Sequence, residues 1–211
     1  MQKIGKVERK VGDILKVSLV SILLSLGMFS AANASGLYVT GSMGFAVQKP
    51  PGDGTTTIGT ASDLSGRLAT GYVQTINDKW DTGIEVGYSY FGKGTYYQSG
   101  HTFDLTSSAS DINALIGYAL SEKWVLQAKA GLAQIKTKAK IPTKFGTYRE
   151  RDEHDVKPLL GIGARYQLNE ALSFEMMLTH YFGATSSEGA TSSNNIVPAV
   201  NQLLLGVRYS F

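Results

Sequence analysis

The sequence predicts an all-β fold, an eight-stranded antiparallel up-and-down transmembrane β-barrel, and three observations predict it. Segments of about ten residues alternate apolar and polar side chains, the weak period-2 signal of barrel strands. The polar connections between these segments alternate between short and long. The last segment, Leu203 to Phe211, puts Leu203, Leu205, Val207, Tyr209 and Phe211 on one face and Leu204, Gly206, Arg208 and Ser210 on the other. Five large apolar groups on one face of a strand need an apolar cover, and a strand ending on an aromatic fits a lipid one.

The chain opens with Lys3, Lys6, Arg9, Lys10 and Lys16, followed by an apolar run from Val17 to Met28 and the small-x-small triplet Ala32-Asn33-Ala34. This is the layout of a cleaved secretory signal peptide over residues 1–34, with the barrel domain at 35–211. The run, about a dozen residues, is too short to cross a bilayer. The alternative is a buried N-terminal helix. The leader holds five of the 20 basic and two of the 17 acidic residues, so the remainder carries 15 of each and is neutral. The basic pI therefore belongs to the leader and gives no reason to expect a nucleic-acid partner. With no cysteine there is no disulfide frame and no thiolate chemistry.

Eight alternating segments follow. The first, Leu37 to Val47, turns Leu37, Val39, Met43 and Phe45 outward and Tyr38, Thr40, Ser42 and Gly44 inward. The second, Leu64 to Val73, has Leu64, Leu68 and Tyr72 out and Ser65, Arg67, Ala69 and Gly71 in. The third, Trp80 to Tyr90, has Trp80, Ile84, Val86, Tyr88 and Tyr90 out and Asp81, Gly83, Glu85, Gly87 and Ser89 in. The fourth ends at Leu120, with Ile112, Ala114, Ile116 and Tyr118 out and Asn113, Leu115 and Gly117 in. The fifth, from Trp124 to about Lys136, points Gln127, Lys129, Gly131 and Ala133 inward. The sixth, Leu159 to Leu168, points in Gly161, Gly163 and Arg165. The seventh, Leu172 to Tyr181, points in Ser173, Glu175, Met177 and Thr179. The eighth is the closing segment.

Short turns are expected at Ile76–Lys79, Ser121–Lys123 and Asn169-Glu170, and long loops at Gln48–Asp63, Phe91–Ser110, Thr137–Lys157 and Gly183–Asn201. Short connections on one side and long ones on the other mark an outer-membrane barrel with its long loops outside the cell. Trp80, Trp124, Tyr72, Tyr118 and Tyr166 all fall beside short turns and are expected to form an aromatic girdle on the periplasmic side. A water-soluble lipocalin-like barrel is the alternative, but it would have to coat its outside with the glycine-rich charged face.

An eight-stranded barrel is just wide enough for side chains to fill it. Glu85 and Lys129 each lie five residues after a girdle tryptophan, Glu175 five residues past the last short turn, and Arg208 three residues from the end. Their signs alternate, so a lumen charge network is expected from Glu85, Lys129, Glu175 and Arg208, extended by Arg67 and Arg165 with Asp81 or Asp111 as partners.

These residues, with the Gly36-Leu37-Tyr38-Val39 opening, resemble the OmpA-type transmembrane domain and related small outer-membrane β-barrel proteins. The resemblance covers Ser35–Phe211 and extends to no peptidoglycan-binding domain. It implies lumen salt bridges that plug the barrel, proposed in that family to gate a small channel. It also implies that Tyr209 and Phe211 form a signal for the outer-membrane assembly machinery.

Three functional classes compete. The leading expectation is a non-enzymatic outer-membrane barrel whose loops contact outer-membrane lipid and lipopolysaccharide, or a host or surface partner. The third loop carries Lys136, Lys138, Lys140, Lys144, Arg149, Arg151 and Lys157, mixed with Glu150, Asp152, Glu153 and Asp155. Basic groups near a phosphate-rich leaflet are attracted to it; internal ion pairing in a solvated loop is the alternative. The first and fourth loops (Gly52–Thr57 and Thr185–Gly189) are rich in Gly, Ser and Thr, as variable surface loops are. The second class is a small pore of low conductance, with Glu85→Ala or Arg208→Ala raising it. The third is a lipid A-modifying enzyme with His180 and a nearby serine (Ser186 or Ser187, with Glu188), disfavoured because a His-x-Ser motif would need serine where Phe182 stands. No catalytic residue, cofactor or metal is expected. His101, His154 and His180 are scattered, without cysteine, and give no metal-ligand spacing.

Overall fold

The computed structural model describes residues 36–49, 61–98, 101–142, 148–183 and 197–211. The leader and its cleavage site, the Gly52–Thr57 and Thr185–Gly189 stretches, and Lys144 lie outside the described residues. Eight strands follow one another: β1 (Leu37–Lys49), β2 (Ala61–Thr75), β3 (Trp80–Gln98), β4 (His101–Ala119), β5 (Trp124–Pro142), β6 (Tyr148–Gln167), β7 (Leu172–Tyr181) and β8 (Ala199–Ser210). Each pairs antiparallel with its chain neighbours, and β1 pairs with β8 from Tyr38↔Ser210 to Lys49↔Ala199, closing the barrel. Closure leaves the membrane-level backbone without an open edge, which a strand-built membrane protein requires. No described helix is long and apolar enough to cross a membrane; the strands cross instead.

The three short turns share one design. Ile76, Leu120 and Leu168 donate their backbone N–H to the carbonyls of Trp80, Trp124 and Leu172. Within each turn a short polar side chain accepts two backbone N–H bonds: Asn77 from Lys79 and Trp80, Ser121 from Lys123 and Trp124, Asn169 from Ala171 and Leu172. Asn and Ser suit this because their side chains mimic a backbone turn.

The long connections differ from expectation. β3 runs to Gln98 and β4 starts at His101, while β5 reaches Pro142 and β6 starts at Tyr148. Most of Phe91–Ser110 and Thr137–Lys157, expected as loops, is therefore paired strand. The period-2 phase persists through these extensions while its chemistry inverts. Along β5 the outward positions change from Leu126 and Leu132 to Lys136 and Lys138, and the inward ones from Gln127 and Lys129 to Ala133 and Ile135. β3–β6 thus stand as a wall taller than β1, β2, β7 and β8. Lys136, Lys138 and Lys157 lie on strands of this wall and not in a mobile loop.

Candidate functional site: the lumen

Every inward residue expected within the eight segments does face inward, and the lumen divides into two levels. At its centre is Arg67. Its Nη1 and Nη2 donate to Asp111 Oδ2 at 2.6 Å and Oδ1 at 2.8 Å, a two-toothed grip. Nη2 also donates to Glu85 Oε1 at 2.8 Å, and Nη1 to Ser89 Oγ at 3.0 Å. The guanidinium lies flat on Gly87, where any Cβ would collide with it. Asn113 Nδ2 donates to Asp111 at 2.6 Å, and Lys129 Nζ stands 3.7 Å from Glu85. All of these charged groups are at least nine-tenths buried. Such burial is tolerable only because each ion is matched and hydrogen-bonded.

Nearer the short turns, Arg165 Nη2 reaches Asp81 at 3.1 Å. Tyr38 donates its hydroxyl to Glu85 Oε2 at 2.9 Å, and its ring carries the Arg208 guanidinium at 3.3 Å from the centroid, a cation–π contact. Among the described residues neither Arg208 nor Glu175 makes an ion pair within 4 Å. Arg208 is opposite Ser173, one inward position nearer the short turns than Glu175, and the Tyr38 ring occupies its face. Arg165 is directly opposite Glu175 but pairs with Asp81. Glu175 borders a small cavity of about 10 Å³ together with Lys129, Gln127 and Met177.

The upper level is apolar. Phe91, Ile135, Leu159, Tyr181, Val197 and Val200, with Ala46, Ala109 and Ala133, form one buried cluster. Tyr181 joins the levels. Its hydroxyl is 3.1 Å from Ser89 Oγ and 3.4 Å from Arg67, and its ring meets the Phe91 ring edge-on at 4.8 Å. Gln202 Nε2 bonds Ser65 Oγ at 2.6 Å beside it, and Gln48 Nε2 donates to the Phe91 carbonyl at 3.1 Å. Sequence reasoning missed this second closure. It also left Tyr38, Asn113 and Tyr181 out of the network, although alternation had already turned the first two inward.

On the outside, Trp80 packs at a tilt against Tyr118 (4.8 Å between ring centroids) and Trp124 against Tyr166 (5.0 Å), each pair lying directly across neighbouring strands. With Tyr72 they lie on the outer face at the short-turn end. Tyr209 and Phe211 meet edge-on at 5.2 Å. The remaining outer face is large and apolar: Met43, Leu68, Ile84 and Leu205 are each more than 60% exposed. His180 Nδ1 is 2.7 Å from Asn201 Oδ1 and its ring packs on Phe182. Ser186, Ser187 and Glu188 lie outside the described residues.

A closed antiparallel barrel with ions inside and bare apolar side chains outside is the structure of an integral membrane protein of the bacterial outer membrane. The chain belongs to the family defined by the outer membrane protein beta-barrel domain, which matches residues 17–211. Among solved structures it is similar to Neisserial surface protein A (TM-score 0.54, 19% identity, 84% of this chain and 98% of that one). It is also similar to outer membrane protein OprG of Pseudomonas aeruginosa (TM-score 0.52, 14% identity, 84% and 96%). A third is a major outer membrane protein of Thermus thermophilus (TM-score 0.52, 18% identity, 85% and 100%). At these identities the likeness is one of fold. A comparison with curated proteins returns no match.

Proposed function

We propose that this protein is a plugged, non-enzymatic barrel that serves the outer membrane as a structural element and a contact surface. The observation that carries the reading is the pairing of a doubly closed lumen with a projecting wall. Ions fill the lower lumen, an apolar cluster fills the upper lumen, and β3–β6 rise beyond the other strands with polar outward faces. A wall of paired strands can hold a macromolecular partner at a lower ordering cost than a mobile loop. Tyr209 and Phe211, exposed at the end of β8, suit recognition by the assembly machinery during insertion.

The experiment is a pair of measurements on the refolded protein: single-channel recording in planar bilayers, and binding of cells or envelope fractions to protein whose 95–104 and 139–151 segments are exchanged for short turns. The reading requires negligible conductance and a loss of binding on exchange. The pore reading, supported only by the charged lower lumen, requires steady conductance from the unaltered protein.

A further inference from the structure

The outer face carries a row of side chains that the lumen does not use. Strand register places Tyr90 opposite Ser108, Ser108 opposite Lys136, and Lys136 opposite His154, so four outward residues from β3–β6 stand side by side. The next row up is Lys93, Thr106, Lys138 and Asp152. In that row Lys93 is held by Asp104 at 2.8 Å, and Lys138 lies 4.0 Å from Asp152. Lys136 is exposed and, among the described residues, forms no ion pair within 4 Å. Tilted strands climb about 2.6 Å per residue along the barrel axis, so Lys136 stands roughly 30 Å above the level of Trp124. The apolar band of such barrels is about 25 Å tall. Lys136 therefore lies just beyond the hydrocarbon edge, at the depth of lipid phosphates.

Beside this row, on the other flank of Tyr90, the apolar face is hollowed. A groove of about 680 Å³ runs past Met43, Leu68, Tyr88 and Leu205, with Tyr90 at its upper end. Its floor contains Gly41 and Gly66, which face outward and whose missing side chains open it. Gly71 and Gly87, by contrast, sit under Tyr38 and Arg67, where a Cβ would collide. At Gly41 and Gly66 a Cβ would meet nothing nearer than 3.7 Å. Packing does not demand glycine there, so these two positions keep a space free that the fold itself leaves unfilled.

We propose that this face binds one phosphorylated, multiply acylated lipid of the outer leaflet. Lys136, with the Ser108 hydroxyl and the His154 imidazole, holds the phosphate, and one acyl chain lies in the Gly41–Gly66 groove beneath Tyr90. The charge of Lys136 complements the phosphate, and the groove is apolar and lies within the hydrocarbon band. The site depends on the membrane location and not on any partner of the β3–β6 wall, so it can fail without affecting that reading.

The test is native mass spectrometry of the refolded full chain in detergent, with bisphosphorylated hexa-acylated lipid A, its dephosphorylated counterpart, or inorganic phosphate added. Heat-modifiable migration confirms that each variant is folded. The unaltered protein retains the phosphorylated lipid in preference to the dephosphorylated one. Lys136→Gln weakens retention of the phosphorylated lipid about fivefold, the share expected of one interfacial lysine. Gly66→Leu weakens retention of both lipids; if that variant does not fold, Gly41→Leu takes its place. Lys123→Gln, at a short turn on the opposite side, behaves as the unaltered protein. The proposal is overturned if Lys136→Gln keeps the full phosphate preference, or if filling the groove changes nothing. It is equally overturned if Lys123→Gln weakens retention as much as Lys136→Gln, or if inorganic phosphate displaces the lipid at equal concentration.

Discussion

The lower and upper lumen are filled by opposite chemistry within one tube. Below Tyr181 the filling is ionic: Arg67 holds two carboxylates, and Lys129 and Tyr38 complete the shell of Glu85. Above it the filling is Phe91, Ile135 and Leu159, packed like the core of a water-soluble protein. The surroundings explain the inversion. Where lipid covers the outside, apolar side chains face outward and polar ones must be satisfied within. Where water covers the outside, the arrangement reverses. The two closures therefore fail differently: removing one ion leaves its partners buried and unpaired, whereas removing an apolar side chain leaves a hole.

Four substitutions separate the two. Arg67→Ala orphans both Glu85 and Asp111 and is expected to be the most damaging, about 5 kcal/mol, the upper end for breaking a buried pair. Reversible unfolding by denaturant in lipid vesicles reads it. Phe91→Ala removes the wholly apolar ring of the upper cluster and costs about 3–4 kcal/mol by the same assay, through the cavity it leaves. Tyr38→Phe deletes one hydrogen bond to an ionised carboxylate, worth about 2 kcal/mol, and leaves the Arg208 ring contact in place. Ile135→Val trims one methylene from the upper cluster and costs about 1 kcal/mol. Conductance sharpens the contrast. Glu85→Ala or Arg208→Ala alone is expected to leave the channel silent in planar bilayers, because the apolar level still closes it. Combining Glu85→Ala with Phe91→Ala is expected to give measurable openings. A single lower-level variant that conducts would show that the upper cluster is no seal.

Much of this was legible beforehand. Alternation alone turned Arg67, Glu85, Lys129, Arg165, Glu175 and Arg208 inward, and the short turns placed Trp80 and Trp124 on one belt. The upper wall was not legible as strand because its outward residues are no longer apolar. From Leu132 to Ile135 along β5, and from Ile112 back to Leu105 along β4, the apolar face switches from outside to inside without a break in the strand. A pattern that keeps its period but changes its sign reads as a polar loop. Which inward charges meet was not legible either: Arg208 stands opposite Ser173, one inward position from Glu175, about 5 Å along the barrel axis.

By itself the sequence determined the period, the strand count and the face each side chain takes, because these follow from local backbone geometry and from the preference of apolar groups for lipid. Tertiary structure decided which inward groups meet. Asp111 on β4 reaches Arg67 on β2 across β3, and Tyr181 on β7 reaches Ser89 on β3 across the lumen. Those contacts depend on the register around a closed ring, a property of the whole barrel that no single strand encodes.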